Sequence, residues 1–74
     1  MSATSDKVLA VTKTYLGPAA ESFLARQCQG HLHIEVSALN QSHLKELAKW
    51  VEVGAALVMD AGKAAELSTK IASL

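Results

Sequence analysis

One cysteine, one proline and one each of Trp, Tyr and Phe are all that 74 residues hold of these types. Cys28 by itself cannot close an internal disulfide, so the covalent staple of small secreted domains is excluded and a reducing, cytoplasmic setting is expected. An excess of charge is missing too: seven basic residues balance seven acidic ones, for a formal net charge of +0. Such a chain exerts no strong generic pull on nucleic acid or on an anionic membrane surface. Long hydrophobic runs are also missing. The longest after Gly54 is Ala55-Ala56-Leu57-Val58-Met59, far short of the ~18 residues that a spanning helix needs, and no membrane insertion is expected. Met1 to Asp6 is polar and Lys7 precedes only a short mixed run, which is not the pattern of a signal peptide. The length suits one small domain, without separate catalytic and regulatory halves.

What the chain does contain is alanine and leucine at helical spacing, within a composition that is half hydrophobic. The expectation is an all-α fold, a small bundle of three to four short helices. A disordered tail covers residues 1–5, and residues 6–74 form a single helical domain. Ser5 or Asp6 can cap a first helix starting near Lys7. Val8, Val11 and Tyr15, with Leu9, Thr12 and Leu16, give it an apolar side, while Lys13 and the threonines look outward. Gly17-Pro18 interrupts the helix, because proline lacks the N–H and its ring meets the carbonyl of Thr14. The second helix reads from Pro18 to about Gln29, with Ala20, Phe23, Leu24, Gln27 and Cys28 on one side and Gly30 as its stop.

Between residues 31 and 36, Leu32, Ile34 and Val36 alternate with His31, His33 and Glu35, the period of a half-buried strand. A short extended segment or a turn-like linker both fit. Asn40 or Ser42 then caps the best-marked helix, in which Leu44, Leu47, Ala48, Val51, Ala55 and Val58 form one stripe. Trp50, Val53 and Leu57 lie beyond that stripe, and Gly54 permits close approach of a neighbour at a cost of ~1 kcal/mol relative to alanine. Asp60 can cap a last helix bearing Ala64, Leu67, Ile71 and Leu74. Whether residues 43–74 make one helix or two stays open. The expected core is Tyr15, Leu16, Phe23, Leu24, Leu44, Leu47, Val51, Val58, Leu67 and Ile71.

Chemistry-bearing patterns are sparse. Cys28, His31 and His33 offer thiolate and imidazole, the ligands zinc prefers, yet Cys-x2-His-x-His matches no standard zinc module. No serine lies in a Gly-x-Ser-x-Gly elbow, and Ser37 with His33 or His43 makes no triad on spacing alone. Gly62-Lys63 lacks both the upstream glycine, where Leu57 stands, and the following Ser/Thr of a phosphate-binding loop. The glutamates are spread among lysines and read as solvated faces rather than as converging acid–base pairs. Lys45, Lys49 and Lys63 beside Trp50 are interleaved with Glu46 and Glu52, which leaves no phosphate track. Neither enzyme activity nor a cofactor is expected.

Interaction is the theme that survives. Trp50 and Leu57 lie two turns apart with Gly54 between them, and tryptophan is enriched among binding hot spots. A domain this small has much surface for its volume and gains stability by association. A homodimer with Trp50, Gly54 and Leu57 at its interface is therefore expected. A small metal-binding or sensing protein using Cys28, His31 and His33 is the alternative.

Tyr15-Leu16-Gly17-Pro18-Ala19-Ala20, followed by Phe23-Leu24-Ala25-Arg26-Gln27, resembles a Tyr-Ile/Leu-Gly-Pro signature. That signature marks a small helical domain at the C-terminal ends of bacterial serine/threonine kinases, adenylate cyclases and related signalling proteins. The resemblance implies a cytoplasmic bacterial regulatory or protein-interaction module, with another signalling protein as a second kind of partner. It brings no catalytic residues.

Overall fold

Helix α1 runs from Ala3 to Leu16 in the computed structural model, which describes residues 3–74. It starts earlier than the capping pattern suggests. Ser5 is fully buried inside it instead of capping it, and of the expected tail only Met1 and Ser2 lie outside the described residues. Ser5, Val8 and Thr12 form the buried stripe, so Thr12 keeps to the apolar side while Lys13 and Thr14 look outward. Its hydroxyl donates to the Val8 carbonyl at 2.7 Å, and a hydroxyl satisfied within its own helix can be buried without an orphaned polar group.

Leu16 ends the helix and Gly17 takes a left-handed φ of +61°, a conformation open to glycine at little cost. Pro18 follows inside a tight turn, Gly17–Ala19, that leads directly into α2, Ala20–Gln27. The corner thus falls at the expected dipeptide. Gly30 does not stop the second helix, however. The chain continues as a widened turn, Cys28–Leu32, and stops at His33, which adopts φ 58°. The Cys28 carbonyl accepts the N–H of His33 and that of Ile34, the latter at 3.2 Å, which satisfies the end of the helix. Among non-glycine residues histidine is one of the few enriched in this left-handed region.

Residues 33–40 contain no strand. Glu35 is extended, Val36–Ala38 make a single tight turn against α1, and Leu39 is extended again. The alternation in the sequence still reports the sides correctly: Leu32, Ile34 and Val36 are half-buried against the core, while His31, His33 and Glu35 are exposed. Leu39, at 1% exposure, pins the connection into the core.

Asn40 then opens a turn, Gln41–His43, that runs into α3, Leu44–Ala55. Its side chain accepts the Ser42 N–H at 2.9 Å, and His43 Nδ1 accepts the Asn40 N–H at 3.2 Å, a reciprocal capping box. Helix α3 ends at Ala55, short of Val58, the last residue of the expected stripe. Tight turns replace it: Leu57 N–H reaches the Gly54 carbonyl, and the N–H groups of Val58 and Met59 both reach that of Ala55. Asp60 caps α4, Ala61–Ala72, by accepting the Lys63 N–H at 3.1 Å, so residues 43–74 hold two helices.

Helices α3 and α4 pack extensively on each other, and each carries small buried residues, Ala48 and Ala55 in α3 and Ala64 and Ser68 in α4. Ser68 donates to the Ala48 carbonyl at 2.9 Å, tying the pair together. Leu24, Leu44, Leu47, Val51, Leu67 and Ile71 are buried as expected, joined by Val8, Cys28 and Leu39. Tyr15, Leu16 and Phe23 are half-buried. Val58 is the failure of the expected core. It is 69% exposed, because the break after Ala55 takes it off the stripe that a continuous helix would have extended.

Candidate interaction surface

The residues singled out in α3 have separate fates. Trp50 is half-buried, with the His31 ring parallel to it at 3.9 Å and an interplanar angle of 5°. The widened turn after α2 therefore anchors one end of the surface by ring stacking. Gly54 faces inward within the chain: a Cβ placed there would stand 2.9 Å from Gln27 Nε2 and 3.1 Å from Phe23 Cε1. On that side it seats α2, while the residue itself stays half-buried. Leu57 has left the helix and is 85% exposed.

Leu57 does not stand alone. Val53 and Val58 are exposed beside it in sequence, and together they are the large hydrophobic side chains that remain exposed among the described residues. Next to Val58 opens a groove of about 350 Å³. Tyr15 and Leu16 line it from the end of α1, Phe23 and Arg26 from α2, and Val58 and Met59 from the link between α3 and α4. Phe23 lies both in this groove and against Gly54, so one ring joins the groove to α3. The sequence pattern missed the groove because its walls come from three elements that meet only through the Gly17 corner and the break at Ala55.

The polar groups at its border are mostly committed. The Tyr15 hydroxyl donates to Glu66 Oε1 at 2.7 Å, which links α1 to α4. That hydrogen bond, with Lys70 and Lys63 nearby, holds the Glu66 carboxyl below its ordinary pKa. Lys70 lies 3.7 Å from Glu66 and 5.2 Å from the Tyr15 ring centre, and its pKa is raised, first by Tyr15 and then by Glu66. Ser22 donates to the Ala19 carbonyl at 3.3 Å.

The metal-ligand set does not assemble. Cys28 is buried in the core, and burial pushes its thiol pKa up, opposite to what a thiolate ligand needs. His31 is stacked on Trp50 and His33 is exposed at the left-handed stop. Among the described residues no three His, Cys, Asp or Glu side chains are grouped to hold an ion. No helix among them is long and apolar enough to cross a membrane.

Comparison with family models, curated proteins and solved structures finds no match for this chain.

Proposed function

We propose that this chain is a non-catalytic interaction or regulatory module of a bacterial signalling system, working in the cytoplasm and self-associating as a homodimer. The observation that carries the interaction reading is that Val53, Leu57 and Val58 are exposed within six residues of sequence and that Val58 also lines the groove with Phe23. Solvent-exposed aliphatic side chains grouped beside a concave apolar surface are what a partner covers, whereas scattered ones need no explanation. A second copy is a fitting partner, because a two-fold interface sets one surface against itself and here an exposed Leu57 precedes Val58, which lines a groove. Zero net charge adds little repulsion between copies. The signalling context and the possibility of another signalling protein as partner rest on the resemblance around Tyr15-Leu16-Gly17-Pro18. The cytoplasmic setting rests on the single, unpaired cysteine.

The proposed interface takes Trp50, Gly54 and Leu57 from the sequence expectation and adds the exposed Val53 and Val58. Light scattering across micromolar concentrations tests it. The wild type is expected to be a dimer and Leu57→Lys a folded monomer, since a side chain so exposed contributes little to its own fold. Trp50→Lys is expected to weaken the dimer less, while also releasing the His31 stack. A wild-type chain that stays at 7.8 kDa throughout overturns self-association.

A further inference from the structure

The groove beside Val58 has a polarity that an apolar partner surface does not use. Among its lining side chains three carry polar hydrogens: Tyr15, Ser22 and Arg26. Two of these donors are already committed within the chain, Tyr15 to Glu66 and Ser22 to the Ala19 carbonyl. Arg26 is the only charged side chain of the lining, and it is exposed. No carboxylate of the described residues lies within ion-pair distance of it, the one ion pair among them being Lys70 with Glu66. An apolar trough bordered by one uncommitted guanidinium is complementary to a molecule with an aliphatic body and one anionic oxygen group. The planar guanidinium presents paired N–H donors that match a carboxylate. A volume of about 350 Å³ sits at the lower end of small-ligand sites, ~300–1,000 Å³, which favours a short chain over a bulky ring system.

We infer that the groove between α1, α2 and the α3–α4 link binds a small linear aliphatic carboxylate, its chain against Phe23, Val58 and Met59 and its carboxylate on Arg26. The inference does not rest on self-association, although the two surfaces meet at Val58. A carboxylate of this kind displaces water from half-buried apolar side chains and leaves its charged end at the open rim, where it keeps part of its hydration.

Octanoate is the probe, compared with 1-octanol and octyltrimethylammonium, followed by the methyl NMR signals of Val58 and Met59. Saturable shifts at these methyls are expected with octanoate, smaller ones with octanol and the least with the cation. Arg26→Gln should weaken octanoate about fivefold, the upper end of what a solvent-exposed ion pair supplies, and leave octanol unchanged. Ala19→Phe, which adds bulk to an exposed wall of the groove, should weaken octanoate and octanol alike. Leu57→Lys is titrated in parallel, with oligomeric state measured on the same samples. Binding in both proteins supports the inference, and binding only in a monomeric Leu57→Lys supports it with the groove covered by a second copy. A monomeric wild type that binds octanoate removes the self-association reading alone. Absence of shifts in both proteins, or equal shifts for octanoate and octyltrimethylammonium, overturns the carboxylate site.

Discussion

Gly54→Ala sets helix propensity directly against packing. In an open helix interior the change stabilises by ~1 kcal/mol, because alanine loses less backbone freedom on folding. In α3 the new methyl would meet Gln27 Nε2 at 2.9 Å and two Phe23 ring atoms at 3.1 and 3.2 Å. The Gln27 amide is the end of a flexible side chain, but that residue is only 8% exposed and has little room to retreat. The Phe23 ring must also shift by a few tenths of an ångström, towards the groove it lines. Overpacking of this kind costs ~1–3 kcal/mol, which outweighs the gain and leaves a net loss of about 1 kcal/mol. In thermal unfolding the midpoint should fall by ~4–8 °C for a domain of this size. A double-mutant cycle with Phe23→Leu locates the cause. In that background the two ring contacts are gone while Gln27 Nε2 stays close, so the same Gly54→Ala change should cost less than in the wild type, with a coupling of ~0.5–1 kcal/mol. A Gly54→Ala single mutant stabilised by about 1 kcal/mol would refute the reasoning, since propensity would then be unopposed and α2 would not be seated on Gly54.

Asp60→Ala should lower stability in urea by ~0.5–2 kcal/mol, because the Lys63 N–H loses its acceptor at the start of α4, and Asp60→Asn should retain most of it. A neutral Asp60→Ala would mean that α4 is started by packing alone. The Cys28 thiol should resist Ellman's reagent in the folded protein and react fully in denaturant, as a thiol buried in the core must. Its raised folded-state pKa sets the sign of a pH dependence. The unfolded thiol ionises first, so this contribution is fully present below the unfolded pKa of ~8.5 and is lost as pH rises through the folded value. Cys28→Ala should abolish that alkaline component, and a wild-type profile identical to the variant's would contradict the burial.

Local chemistry alone determined several features. Gly17-Pro18 had to turn the chain, because proline cannot continue the bonding of α1 and glycine accepts a positive φ. Asp60 could be read as a cap because a short carboxylate before a helical stripe has one evident use, and it accepts the Lys63 N–H. Alternation at residues 31–36 named the buried side of the connection even though no strand forms there, since burial needs only that alternate side chains face the core. Tertiary structure decided the rest. Thr12 is buried because packing against the core takes its side of α1 and its hydroxyl is satisfied by Val8. His33 rather than Gly30 stops the second helix, because the widened turn carries His31 onto Trp50, a contact between residues 19 positions apart. Leu57 and Val58 are exposed because α3 ends at Ala55, a choice that helical periodicity cannot make while apolar residues continue past it. Arg26 reads in sequence as one more surface cation at the end of a helix. Only the meeting of three elements gives it an apolar trough to border, and periodicity within one helix carries no information about what the next helix brings alongside.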